Sequence, residues 1–320
     1  MCSATSLLQR LRAGLITCIM SMCITSQPIY AAEHIAPTPW SSIVSSDLSR
    51  LMPKSEVRQL IAGETEFVSL HREYMSAEQR AVVLIIPDWQ NLPTNNAGVN
   101  FLRTHLNDLG YTTIAMTVPD INWQASNEDT QTENTDPATE NSQQTIDTNE
   151  TNSSAKQTAQ DPETTAKHVD TIEYVSDDII DDYKENLIAR FEVLYQTALN
   201  DGDKIVLVAQ GASAGVLIEH YASFPNDDLE AFVSLSSYLP NNERNQQLNT
   251  LVSTISPPLL DIFYSNDNPD LLLSVANRKR WVKRHSKYDY RQRQLFGLRS
   301  EPAQHARLTK EIDGFLRRLF

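Results

Sequence analysis

Cysteine is scarce in this sequence, and its few copies are confined to the beginning of the chain. The 320 residues include three cysteines, Cys2, Cys18 and Cys23. Residues 24–320 therefore contain no thiol nucleophile, no disulfide and no cysteine ligand for a metal ion. We expect a packed apolar core to stabilise the fold of this part of the chain instead.

Glycine and the motifs that depend on it are also rare. The chain has nine glycines, and none of them belongs to a glycine-rich loop of the kind that binds phosphate. The His-Glu-x-x-His zinc motif is absent, and the seven histidines are scattered without the spacing of metal ligands. We therefore expect neither a cofactor nor a metal ion.

Basic residues are outnumbered by acidic ones, which gives a formal net charge of −14 at pH 7. Residues 124–170 contribute −8 of this charge, since they hold ten acids against Lys156 and Lys167. Their only aliphatic residues larger than alanine are Ile146 and Val169, so they cannot bury enough apolar surface to offset their ordering entropy. The composition predicts a disordered, acidic, low-complexity insertion. The acidic balance also argues against nucleic-acid binding.

The N-terminus has the three parts of a secretory signal peptide. Arg10 and Arg12 precede an uncharged stretch, residues 13–32, that ends in two alanines. A basic region, an apolar region and a small-residue cleavage site direct export. We predict a signal peptide over residues 1–32 and export across the inner membrane, most simply to a bacterial periplasm. A membrane anchor is the alternative, but the stretch is short and polar for a spanning helix, so no membrane span is expected in residues 33–320.

The rest of the chain alternates between strand-like and helix-like patterns. Residues 81–86 are apolar throughout, as expected for a strand that is covered on both faces. A helix after Ser176 has its apolar face at Ile180, Tyr183, Leu187, Phe191, Leu194 and Ala198. The alternation predicts one α/β domain, residues 33–320, with a mostly parallel sheet and helices on both faces. The other expected strands are 66–71, 111–118, the run from 204, 231–236, 259–264 and 290–295, and the other expected helices are 99–109, 216–222 and 306–319.

A strand, a sharp turn and a helix follow one another at residues 204–222, which is the pattern of a nucleophile elbow. Read letter by letter, the segment from Gly211 to Gly215 is G-x-S-x-G, with Ser213 as the nucleophile. Read by distance from the strand, Ala209 and Ser213 take the two small positions and Gly211 takes the nucleophile position. We favour the second interpretation, because strand and helix register fix the geometry whereas a five-letter pattern recurs by chance. The fold would then be present without its usual serine.

This segment resembles the elbow of α/β-hydrolases, and the resemblance extends over most of the chain. From about Asp47 to Phe320, insertion excepted, the order of features is similar to that of a bacterial family of exported α/β-hydrolase-like proteins of unassigned function. The features are Pro87-Asp88-Trp89, Leu102-Arg103, Gly110 to Thr113, Pro119 and Gln210-Gly211. The resemblance implies an α/β-hydrolase-like fold, and it implies glycine as a frequent replacement for the elbow serine.

Two further residues fall where a hydrolase would have the rest of its catalytic triad. Asp267 follows the strand that ends at residue 264, and His305 precedes the last helix. With Ser213 as nucleophile, the three residues occur in the hydrolase order. Each also has a structural interpretation, since Asp267 can form a turn before a proline and His305 can be an exposed first-turn residue.

The turn that would supply the oxyanion hole departs from hydrolase chemistry. Hydrolases of this type direct backbone N–H groups at the developing oxyanion. Here the candidate oxyanion residues are Asp88 and Trp89, preceded by Pro87, which has no N–H. A carboxylate at Asp88 would repel an oxyanion if it pointed inward. The oxyanion turn and the nucleophile position therefore both depart from an active site.

One concentrated basic run occurs at residues 278–287 and contains Trp281. It is either a solvated helix face or a docking site for anionic lipid, lipopolysaccharide or the acidic insertion.

Three functions remain open. The favoured one is an exported α/β-hydrolase-fold protein that binds an unknown small molecule or envelope component without serine chemistry. The alternatives are a serine esterase or lipase-like hydrolase that uses Ser213, Asp267 and His305, and an envelope scaffold.

Overall fold

Eight strands form one sheet at the centre of the fold, which we describe from a computed structural model covering residues 38–121, 175–225 and 228–320. The strands are β1 (Val57–Ala62), β2 (Thr65–Arg72), β3 (Ala81–Ile86), β4 (Tyr111–Met116), β5 (Ile205–Gln210), β6 (Ala231–Leu235), β7 (Leu259–Tyr264) and β8 (Tyr290–Leu295). The helices are α1 (Trp40–Leu51), α2 (Val99–His105), α3 (Asp177–Ala198), α4 (Gly211–Ser223), α5 (Asn242–Leu251), α6 (Pro269–Arg284) and α7 (Pro302–Leu316). The strand order across the sheet is β1-β2-β4-β3-β5-β6-β7-β8.

Six of the strands are parallel, and they bring their carboxyl ends to one edge of the sheet. Strands β3 to β8 pair in parallel, whereas β1 and β2 pair antiparallel with their neighbours. The central strands β3, β4, β5 and β6 are buried along their whole length, because helices cover both faces. One apolar cluster packs residues of α3 and α4 on the sheet, a second packs residues of α2 and α7 on the opposite face, and a small third one joins α1 to β2.

This architecture confirms the α/β fold class predicted from the sequence. Each of the seven expected strands is present, and every strand end that was predicted lies within two residues of the observed one. The apolar face expected after Ser176 is also the buried face of α3: Ile180, Tyr183, Leu187, Phe191, Leu194 and Ala198 are all buried. Apolar periodicity therefore sufficed to place these strands and the buried face of α3.

Some elements differ from expectation, and each difference has a local cause. Strand β1 was not expected, because Arg58 and Gln59 interrupt its apolar residues, as suits an edge strand. The helix expected over residues 99–109 ends at His105 and continues as a 3-10 turn, Asn107–Leu109. Gly110 then stops it in a left-handed conformation, with φ of 97°.

Two sequence predictions lie outside the described residues. These are the signal peptide, residues 1–32, and the acidic insertion, residues 124–170, which falls between β4 and α3 in the sequence. Within the three described ranges, no helix combines the length and the apolar character that crossing a membrane requires.

Candidate functional site

The turn from β5 into α4 lies at the carboxyl edge of the sheet, where open α/β folds bind their ligands. Strand β5 ends at Gln210 and α4 begins at Gly211. Gly211 has φ of 60°, in the left-handed region that glycine adopts at little cost. Ser213 lies within α4 and is fully buried. Gly211 is therefore the residue at the tip of the turn.

The carboxylate of Asp88 lies directly against this tip. Its Oδ1 accepts hydrogen bonds from the backbone N–H of Ala212, at 2.7 Å, and of Trp89, at 2.9 Å. A Cβ atom on Gly211 would lie 2.1 Å from Asp88 Cγ. In this fold, the oxyanion hole is made by the N–H after the elbow tip and an N–H from the loop after the third strand. In this chain, the two N–H groups equivalent to those of an oxyanion hole thus both donate to Oδ1 of Asp88.

Burial raises the pKa of the Asp88 carboxyl above its ordinary value of 3.8, because desolvation disfavours the charged form. The two backbone N–H groups and the charge of Arg299 act in the opposite direction. Among the described residues, none donates a hydrogen bond to Oδ2. The site therefore holds a buried carboxyl group whose Oδ1 is fixed by two backbone N–H groups.

Asp88→Asn is expected to remove a pH-dependent loss of stability. Because the folded-state pKa is raised, the folded chain binds more protons than the unfolded chain between pH 3.8 and the raised value, so the free energy of unfolding falls as pH rises through this window. Asparagine keeps an oxygen acceptor and does not ionise. Urea unfolding at about pH 4 and about pH 7 should therefore show the variant gaining stability relative to the parent at the higher pH.

The matched control for this change is Glu64→Gln, which also converts an acid to its amide but at an exposed position. It is expected to leave the pH dependence of unfolding close to that of the parent. The same pH dependence in both variants would contradict a raised pKa at Asp88.

The hydroxyl of Ser213 is part of the core. It lies 2.7 Å from the hydroxyl of Tyr183 on α3, and both side chains are buried. The Tyr183 ring meets Trp89 edge to face, with ring centroids 6.2 Å apart. Burial raises the pKa of the Tyr183 phenol, so the phenol stays neutral. The hydroxyl of Ser213 is therefore hydrogen-bonded to a neutral phenol on α3, and not to a side chain that could act as a base.

Gln210 links the elbow to the loop that carries Asp88. Its side-chain amide donates to the Ala97 carbonyl at 3.1 Å and accepts from Asn95 at 3.4 Å. Gly98 precedes α2 as its N-cap with φ of 96°, and a Cβ there would lie 2.9 Å from Leu308 Cδ2. The loop between β3 and α2 is therefore fixed at both ends beside the turn.

Asp267 uses both carboxylate oxygens in contacts within the chain. Oδ2 accepts from the Ser236 hydroxyl at 2.6 Å and from the Tyr264 backbone N–H at 2.8 Å. Oδ1 accepts from Nε and Nη2 of Arg299, at 2.8 Å and 2.6 Å. Ser236 holds φ of 50°, an uncommon conformation for a residue with a side chain. The loops after β6, β7 and β8 thus meet at this carboxylate.

His305 contacts a neighbouring loop rather than an acid. Its Nε2 donates to the backbone carbonyl of Arg299 at 2.7 Å, and its ring lies 5.5 Å from that of Phe101. No hydrogen bond among the described residues joins any two of Ser213, Asp267 and His305. Arg299 lies between the last two, with its guanidinium on Asp267 and its carbonyl on His305.

Arg299, Ser236 and Tyr183 are site residues that sequence reasoning missed. Arg299 lies in a short loop without a motif, and Ser236 directly follows strand β6, whose apolar pattern gives no sign of the conformation of Ser236. Tyr183 appeared only as a core position of α3. Their contacts join residues 30 to 32 positions apart, so only the tertiary structure reveals them.

The fold is similar to those of solved α/β hydrolases. Est1E from Butyrivibrio proteoclasticus is 9% identical, with a TM-score of 0.51, and the match covers 82% of this chain and 98% of that one. A soluble variant of monoglyceride lipase from Saccharomyces cerevisiae, in complex with a substrate analog, is 8% identical, with a TM-score of 0.51 and coverage of 82% and 95%. At such low identity, the likeness establishes the fold alone.

Sequence comparison gives a family but no characterised relative. A comparison with curated proteins finds no significant match. The sequence profile of the family described as protein of unknown function (DUF3530) matches residues 21–318.

Proposed function

The chain belongs to the DUF3530 family of proteins of unknown function, and we propose that it acts by binding rather than by serine hydrolysis. The proposal places an exported protein in the cell envelope, most simply in the periplasm, where it binds a small molecule or an envelope component. Export is supported by the signal pattern over residues 1–32.

One observation carries the proposal: Asp88 accepts hydrogen bonds from both backbone N–H groups of the oxyanion position, one in the elbow and one in the loop after β3. A serine hydrolase needs a nucleophilic side chain at the tip and donors left free for the oxyanion of the tetrahedral intermediate. Here Gly211 at the tip offers no side chain, and the N–H groups of Ala212 and Trp89 both donate to Asp88. A substrate carbonyl would have to displace a carboxylate that these donors already hold.

The alternative, an esterase that uses Ser213, Asp267 and His305, would need several of these contacts to break. Ser213 would have to leave a buried hydrogen bond with Tyr183. His305 would have to exchange the Arg299 carbonyl for the serine, and Asp267 would have to release Arg299. The contacts therefore support the binding function over acyl transfer.

A scaffold function has one observation in its favour, the exposed end of α6. Lys279, Arg280, Lys283 and Arg284 are all exposed, and none of them has an ion-pair partner among the described residues. Such a face attracts anionic surfaces over a range that salt shortens. Envelope contacts through this face are compatible with a ligand site at the sheet edge.

A fluorophosphonate probe tests the absence of serine chemistry. We expect no labelling of Ser213, short-chain ester hydrolysis at background, and no change in either on Ser213→Ala. A working triad would accelerate acyl transfer by many orders of magnitude, with the nucleophile responsible for most of it. Stoichiometric labelling of Ser213 that His305→Ala abolishes, in a variant whose thermal unfolding remains cooperative, would establish the esterase instead.

A further inference from the structure

Arg299 presents a guanidinium edge at the carboxyl side of the sheet. Its Nε and Nη2 both donate to Asp267 Oδ1, at 2.8 Å and 2.6 Å. Its Nη1 has no hydrogen-bond partner among the described residues, and 30% of the side chain is exposed. One side of the guanidinium is therefore occupied by Asp267, and the described part of the chain leaves the other side without an acceptor.

The position of this guanidinium is fixed before any ligand arrives. Asp267 is itself held by the Ser236 hydroxyl and the Tyr264 N–H. The Tyr264 ring lies 6.0 Å from the guanidinium carbon, and His305 fixes the Arg299 carbonyl at 2.7 Å. A recognition group whose side chain and backbone are both fixed loses little conformational entropy on binding. Such support is more than a solvated surface arginine requires.

The charges around Arg299 indicate what kind of ligand fits. Asp267 offsets most of the arginine charge, so a dianion such as phosphate would bring one more uncompensated negative charge to this position than a carboxylate would. A carboxylate carries a single charge, and its plane matches the edge of a guanidinium. Burial raises the pKa of Asp88, which reduces the negative charge that an incoming carboxylate meets from that side.

We infer that Arg299 is the recognition group for the carboxylate of a small organic acid, with Asp267, Ser236 and His305 as positioning residues. The inference rests on the proposed binding function and names its ligand class. It gives the acid and histidine of the hydrolase order a different use: they orient an arginine instead of activating a serine.

The test measures binding of acetate, benzoate and octanoate to the full chain by titration calorimetry and ligand-observed NMR, with inorganic phosphate in parallel. We expect at least one carboxylate to bind and Arg299→Gln to weaken its binding about tenfold to a hundredfold, as loss of a charge-assisted hydrogen bond predicts. Arg293→Gln is the matched control, since Arg293 also lies near the end of the chain but pairs with Glu311 on the surface. Its affinity should equal that of the parent.

A second variant addresses folding, because Arg299→Gln alone leaves Asp267 without its cation. The double change Asp267→Asn with Arg299→Gln removes both charges, and it should fold and bind carboxylates as weakly as the single variant. No carboxylate binding by the parent, equal affinity in Arg299→Gln, or tighter binding of phosphate through Arg299 would each overturn the inference. These outcomes leave the proposed function standing, whereas fluorophosphonate labelling of Ser213 would overturn the function itself.

Discussion

Gly211→Ala is expected to lower the free energy of unfolding by about 2–5 kcal/mol. A left-handed conformation costs a residue with a side chain about 1–2 kcal/mol, and forcing an extra atom into a packed site adds about 1–3 kcal/mol. Gly211 has φ of 60°, and its added Cβ would lie 2.1 Å from Asp88 Cγ and 2.2 Å from both carboxylate oxygens. Urea or thermal unfolding of the variant measures the sum of the two effects.

Gly63 provides a control that separates the two causes. Its φ is 59°, nearly the same as that of Gly211, but a Cβ there would meet no atom within 4 Å. Gly63→Ala should therefore lose only the conformational part, about 1–2 kcal/mol. The excess at Gly211 should largely disappear when Asp88→Ala is combined with Gly211→Ala, which a double-mutant cycle measures. Equal losses at the two glycines would mean that Asp88 does not stand against the elbow.

The sequence predicted the elements of the fold correctly wherever an apolar pattern indicated a buried strand or helix face. Residues 81–86 and 205–209 are apolar throughout and form the central strand β3 and most of β5. The resemblance to an α/β-hydrolase-like family of unassigned function is also confirmed, by the family match and by the fold. Helix α5 was missed because its ten residues include few apolar ones, and its start depends on Asn241, whose side chain accepts from two backbone N–H groups.

The candidate site could be predicted only in part. Gly211 and Asp88 were singled out because the hydrolase pattern has definite positions for an elbow residue and an oxyanion turn. That the Asp88 carboxylate lies on the Ala212 N–H is a contact between residues 124 positions apart, and no periodicity encodes it. Arg299 was missed for the same reason. It lies in the loop after β8, and its contact with Asp267 depends on β7 and β8 ending side by side in the sheet.

Arg278 is the second place where a large loss is expected, because it is not part of the basic surface that its neighbours form. It is fully buried, and its Nη1 lies 3.1 Å from both carboxylate oxygens of Asp261. The same guanidinium donates to the Ser237 hydroxyl at 2.8 Å and to the Ser237 carbonyl at 2.7 Å. The run at residues 278–287 therefore begins with a core ion pair, and only its later members form an exposed face.

Arg278→Met should lower the free energy of unfolding by about 3–5 kcal/mol, since it leaves the Asp261 charge buried without a cation. Asp261 would keep the hydroxyls of Ser234 and Tyr290, at 2.7 Å and 2.8 Å, which donate but carry no charge. Chemical denaturation measures the loss, and Lys279→Met is the matched control, because that neighbour is exposed and surface changes of this kind stay within about 0.5 kcal/mol.

A second change distinguishes the ion pair from simple loss of packing around Arg278. When Asp261→Asn accompanies Arg278→Met, no charge remains to be buried, so the double variant should be more stable than Arg278→Met alone. If removing the arginine cost only as much as Lys279→Met, the guanidinium would have to be hydrated, and the basic run would be a surface feature from its first residue. If the double variant were the less stable one, the methionine would be failing to fill the space, and the loss would belong to packing instead of charge.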